Sequence, residues 1–243
     1  MGLFGRVIVG MMPFTPRFII NWVAKRYVAG PDLDSAIRLM SVMSAEDACF
    51  TVDVLGEEIA TLDESQFFID EYSRLIDAIA DSGLDANLSI KPTAFGLLID
   101  DSVAHANIER LLHKAARHDI FVRLDMEDHR VTKGTIDVAL AMHEKGLTNI
   151  GVVLQGRLFR TSSDISEISE ATGTATDFRI CKGIYLEPSD IAHSDYRAIV
   201  DATNKAIDLM LDSGRDDRVV VRSILFFLDA RIPVLIWTTI ETG

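Results

Sequence analysis

The stretch 177–188, DFRICKGIYLEP, puts an arginine, a lysine, a glycine and a tyrosine at the end of one short apolar run. Packing alone does not call for four such residues there. With the period of a strand, Arg179, Cys181, Gly183 and Tyr185 face one way, while Phe178, Ile180, Lys182 and Ile184 face the other. One face is apolar except for Lys182, and the other is suited to chemistry.

Reading outward from this strand, the chain alternates strand and helix. Cys49 to Leu55 (CFTVDVL) is a strand, and Asp63 caps a helix with an apolar stripe of Phe68, Tyr72, Leu75, Ile76 and Ile79, closed by Gly83. Ala86 to Lys91 is the next strand. A helix follows from Asp101 to His118, then a strand from Ile120 to Glu127, and a helix that Thr132 opens and Gly146 closes. Asn149 to Gln155 is the fourth strand, Ser163 caps a short helix, Phe178 to Tyr185 is the fifth strand, and Ser194 caps a helix reaching Gly214. Consecutive strand-helix units without linkers predict a parallel sheet with right-handed crossovers.

Strands of a doubly wound sheet are apolar on both faces. Here each keeps one polar face toward its end: Asp53, then Lys91, then Arg123, Asp125 and Glu127, then Gln155, then Arg179. Polar groups converging from the C-terminal ends of successive strands predict a TIM-type (β/α) barrel with its site at that mouth.

Composition agrees with one large domain: 243 residues, 48% hydrophobic. A formal charge of −13 excludes a nucleic-acid partner as the natural reading, since phosphate binding needs a basic face. An anionic small molecule needs a local positive site instead. Cys49 and Cys181 lie inside apolar runs and read as reduced, buried thiols of a cytoplasmic protein. Residues 1–32 read as a leading helical segment packed on the barrel. Pro13 and Pro16 interrupt its apolar run well short of a membrane span, while Phe14, Phe18, Ile19 and Trp22 among Arg17, Lys25 and Arg26 fit peripheral contact at the inner face of a membrane.

No dinucleotide fingerprint, P-loop, HExxH or cysteine-rich metal spacing occurs, and the six histidines fall on helices or loops and read as solvated surface. Lys91, Asp125 and Arg179 face one cavity in this reading, which is tolerable only if they compensate each other or a ligand. An internal ion network that merely fills the barrel is the plainer account. Two cations near a cavity with Tyr185 otherwise suit a small carboxylic acid. Lys182 or Lys91 as a Schiff-base nucleophile, in an aldolase-like barrel, is a third account.

These same residues carry a family resemblance. RYVAG (26–30), VDVLGE (52–57), LSIKPT (88–93), VRLDMED (122–128), GVVLQ (151–155) and RICKGIYLEP (179–188) resemble, in order and spacing, the successive motifs of flavin-dependent proline dehydrogenases. The resemblance spans residues 6–214. It implies a distorted eight-stranded barrel holding FAD, oxidation of L-proline to Δ1-pyrroline-5-carboxylate in proline catabolism, and electrons passed to a membrane quinone or other acceptor. By the same resemblance, Lys91 contacts the proline carboxylate, Asp125 orders the charges around the substrate, and Arg179 lies by the flavin N5 that accepts the hydride. Gln155 bonds the isoalloxazine, Met126 and the Lys182-Gly183-Ile184 backbone line the cofactor, Tyr185 packs beside the proline ring, and Glu57 closes over the substrate by pairing with an arginine.

Beyond Gly214 the pattern diverges. The family continues with a histidine-aspartate motif and an adjacent arginine pair, whereas here no histidine follows His193 and no two arginines are adjacent. Residues 215–243 therefore read as a divergent tail, with Val219 to Val221 and Val234 to Thr239 as strand candidates. A truncated or frame-shifted, catalytically impaired fragment of such an enzyme stands as the alternative.

Overall fold

The structure is a computed structural model that describes residues 32–173, 177–212, 223–227 and 234–239. The leading segment before residue 32 and the strand expected at Val219 to Val221 lie outside the described residues. Helix α1 (Leu33–Ser44) precedes strand β1 (Cys49–Val54). There follow α2 (Ser65–Ser82), β2 (Ala86–Ile90), α3 (Asp101–Ala116), β3 (Val122–Leu124), α4 (Thr132–Glu144), β4 (Ile150–Gln155), α5 (Thr161–Thr172), β5 (Asp177–Cys181) and α6 (Tyr196–Asp212). Two further strands, β6 (Ser223–Phe227) and β7 (Val234–Thr239), come last among the described residues.

Local chemistry sets the helix ends. Asp32 accepts from the Ser35 amide at 2.8 Å, Asp100 from Val103 at 3.1 Å and Asp195 from Ala198 at 3.0 Å, so three helices start on an aspartate cap. The last of these displaces the cap expected at Ser194. Asp63 lies inside a short 3-10 turn, Leu62–Glu64, ahead of α2, and caps nothing; Gly83 does end α2, in the left-handed region at φ 61°.

Strands β1 to β5 pair in parallel and in sequence order, with Val52 opposite Leu88, Leu88 opposite Val122 and Val152 opposite Phe178. Their one face, Val52, Leu88, Ile90, Val122, Leu124, Ile150 and Val152, is wholly buried against helices that contribute Leu75, Ile76, Ile108, Leu112, Val138 and Ile168. That alternation leaves the other face to Asp53, Ser89, Asp125, Gln155 and Arg179. The fold is the TIM-type α/β architecture expected, divergent at its C-terminal end: β7 runs antiparallel along β1 and β6 antiparallel along β7, giving the order β5-β4-β3-β2-β1-β7-β6 among the described residues. The outer edge of β1 is thus covered by the chain's own later strand. No helix among the described residues is long and apolar enough to cross a membrane.

Candidate active site at the C-terminal ends of the strands

Two charged rungs cross the polar face between β3 and β5. Register places Arg123, Gly151 and Asp177 side by side, and the Arg123 guanidinium donates to Asp177 Oδ1 at 2.6 Å. One step nearer the strand ends, Arg179 bonds Asp125 Oδ1, which also accepts from the Ser89 hydroxyl at 2.6 Å. Arg123 was expected among the groups at the mouth; its partner instead fixes it in the lower rung.

The neighbouring pair is Lys91 with Asp53, Nζ to Oδ2 at 2.5 Å, the aspartate being 1% exposed. Tyr72 on α2, also 1% exposed, sets that aspartate: its hydroxyl lies 2.7 Å from both Asp53 Oδ1 and the Ser89 carbonyl and accepts from the Val54 amide at 3.1 Å. Burial pushes the Asp53 carboxyl up to about 6; the Lys91 ammonium pulls the other way, and Asp125 adds to the rise. For Lys91 burial works against the charge, but Asp53 and Asp125 more than offset it and hold the ammonium above the ordinary lysine range. A lysine held protonated is a poor Schiff-base nucleophile. Lys91, Asp125 and Arg179 thus share one electrostatic cluster, with Asp53, Ser89 and Tyr72 as its links.

Above the cluster, Glu127 is 4% exposed and takes the Thr93 amide at 3.1 Å as well as the Thr93 hydroxyl. Burial pushes its carboxyl up to about 7, against the Thr93 bonds. Thr93 in turn accepts from the Glu58 amide at 2.9 Å, tying the loop after β1 to the loop after β3. Glu57 accepts from the Tyr185 hydroxyl at 3.1 Å, and burial, with Glu57 and Glu127, pushes that phenol up. The glutamate-arginine pair at this rim is made by the neighbouring residue: Arg130 bonds Glu58 and Asp128, while Glu57 meets the tyrosine.

Gln155, 1% exposed, donates from Nε2 to the Met126 and Glu127 carbonyls at 3.1 and 2.9 Å, leaving its Oε1 buried without a donor. β5 ends at Cys181, four residues earlier than expected, and Gly183 follows at φ 92°. The simple alternation through Tyr185 therefore breaks. A Cβ on Gly183 would collide with Gln155 Oε1 and would meet Arg157 Cδ at 2.7 Å, so the missing side chain makes room for those two residues. Lys182 stands 5.2 Å from the Tyr196 ring centre, and Ile184 is 87% exposed; neither bonds the charged cluster. His129 is exposed, as expected, and also pairs with Glu187 at 2.6 Å. It borders a separate cavity of about 350 Å3, with Leu158, Phe159 and Ile191, that takes in none of Lys91, Asp125 or Arg179.

Sequence reading missed Tyr72 and Thr93 as parts of the site. Tyr72 sits in an apolar helical stripe and carries no separate signal, whereas Thr93 directly follows Lys91-Pro92 at a strand end and was findable.

A family model described as proline dehydrogenase matches residues 36–213. The chain belongs to the proline dehydrogenase family. Proline dehydrogenase 1 of Bacillus subtilis subsp. natto is 29% identical over 217 residues, an alignment covering 86% of this chain and 70% of that protein. Proline dehydrogenase of Deinococcus radiodurans is 29% identical over 209 residues, 82% of this chain and 66% of the relative. Proline utilization A from Bdellovibrio bacteriovorus, solved after inactivation by N-propargylglycine, superposes with a TM-score of 0.70 at 20% identity over 78% of this chain and 24% of its own. That likeness establishes the barrel fold for this proline dehydrogenase family member, which spans about a quarter of the larger protein.

Proposed function

We propose that this chain oxidises L-proline to Δ1-pyrroline-5-carboxylate with FAD as cofactor, and that the electrons pass on to a quinone or another acceptor. The observation that carries the reading is the linked Lys91-Asp53 and Arg179-Asp125 cluster at the strand ends, set in a family member whose relatives are proline dehydrogenases.

The residues present fit a flavin. Gln155 Oε1 is a buried acceptor without a donor, and Arg157 Nε is a buried donor without an acceptor, both beside Gly183. The pyrimidine edge of a flavin carries an N–H next to a carbonyl and offers the complement to both. Met126 and the Lys182-Gly183-Ile184 backbone would complete the cradle. FAD, when bound, supplies the two-electron acceptor.

The chain's own residues do the rest. Lys91, held protonated by Asp53 and Asp125, offers a fixed charge to the proline carboxylate. Asp125 orients Arg179, which keeps a positive charge beside the reacting centre. Tyr185 walls the ring, and its bond to Glu57 draws the loop after β5 toward the loop after β1, which helps exclude water. Thr93, bonded to Glu127 and to the Glu58 amide, holds the loops after β1 and β3 together.

Purified protein given FAD should turn yellow and reduce an acceptor dye only when L-proline is added. Protein that stays colourless and shows no proline-dependent dye reduction overturns the reading.

A further inference from the structure

Arg157, in the loop after β4, is 9% exposed. Its terminal nitrogens donate to the Tyr185 carbonyl and, at 3.4 Å, to the His193 carbonyl; its Nε has no acceptor, and no carboxylate pairs with it among the described residues. Other partly buried cations around the sheet have carboxylate partners: Lys91 has Asp53, Arg123 has Asp177, Arg179 has Asp125. A guanidinium withdrawn from water without a counter-charge is strongly unfavourable unless an anion arrives to meet it. Its position is also built. Gly156 lets the loop lie on α6, since a Cβ there would meet Thr203 Cα at 2.6 Å, and the Arg157 Cγ and Cδ fill the space that a Gly183 side chain would take.

We propose that Arg157 is the counter-ion for an anionic cofactor ring at Gly183, and that its charge favours reduced, anionic flavin over the oxidised form. This rests on the flavin reading above. Two electrons and one proton taken up by the oxidised ring leave one negative charge delocalised over the pyrimidine end, and a fixed guanidinium in a dry setting stabilises that charge.

The test compares wild type, Arg157→Gln and Arg157→Lys, each loaded with FAD, by equilibrium against a reference dye of known potential. Arg157→Gln should lower the affinity for reduced relative to oxidised flavin about tenfold, which is a fall of about 30 mV for a two-electron couple. Arg157→Lys, which keeps the charge and gives up the clamp on two carbonyls, should change that ratio less than about twofold, or 10 mV. An unchanged potential in Arg157→Gln, or equal falls in both variants, overturns the inference while leaving the flavin reading intact. Wild type that takes up no FAD overturns both. If Arg157→Gln does not fold, sulfite decides on the wild type alone: its sulfur lone pair forms a bond to flavin N5, and the ring keeps the pair as negative charge. Wild type forming no adduct at millimolar sulfite overturns the inference.

Discussion

Tyr72→Phe removes one oxygen from a fully buried position and should cost far more than its size suggests. In the wild type that hydroxyl serves the Asp53 carboxylate and the Ser89 carbonyl, both at 2.7 Å, and receives the Val54 amide at 3.1 Å. Losing a hydrogen bond to a charged acceptor costs about 2 kcal/mol, and stranding a buried amide costs about 2 more. The sum, about 4 kcal/mol, is a large share of the roughly 5 to 15 kcal/mol that holds a domain together. Urea denaturation at pH 8 should show it as a lower midpoint with an unchanged slope. The deficit should also depend on pH. Asp53 is already raised to about 6, so the folded state holds a proton that the unfolded chain has lost, and folding stability falls as pH rises from about 4 to 6. Removing the tyrosine donor raises that carboxyl further, so the deficit at pH 5 should be smaller than at pH 8. A loss under about 1 kcal/mol at pH 8, or one that grows on acidification, would refute the role given to Tyr72.

Glu127, raised to about 7 chiefly by burial, should make the wild type lose about 3 kcal/mol of stability as pH climbs from about 4.5 to 7, and Glu127→Gln should remove that part of the slope in thermal melts across this range. Lys91→Met should raise the KM for proline at least tenfold and destabilise the fold by about 3 to 5 kcal/mol, because Asp53 is left buried and unpaired; the double variant with Asp53→Asn should recover stability but not KM. Gly183→Ala should lower retained flavin, read as the ratio of absorbance at the flavin and protein bands, because φ 92° and the approach of Gln155 Oε1 leave no place for a methyl group.

The helices and parallel strands were legible because both periods were clean: Leu75, Ile76 and Ile79 mark a helix face, and Val52, Leu88 and Val152 mark the buried side of alternating strands. Lys91, Asp125 and Arg179 were legible for the same reason, since a charge at an inward position of a barrel strand must meet a counter-charge or a ligand. What alternation does not carry is where a strand stops. β5 ends at Cys181 and Gly183 follows at a positive φ, so alternation does not carry on to Ile184 and Tyr185. Pairing is also invisible along the chain. Nothing in the spacing says that Arg123 should meet Asp177, or that Glu58 rather than Glu57 should meet Arg130. The antiparallel approach of β7 to β1 was equally hidden, because the residues 234–239 read as a strand without reading as a direction.

The two rungs between β3 and β5 also act as gauges. They reach across β4, where Gly151 and Val153 take up little room, and two inter-strand spacings amount to about 10 Å. A long flat head group extends far enough to close that gap from one side while the short aspartate waits on the other. Lysine at either position would present one point of contact in place of a fork, and histidine would fall short altogether. The barrel interior therefore selects arginine for its length as much as for its charge, and substitutions there are judged by span before sign.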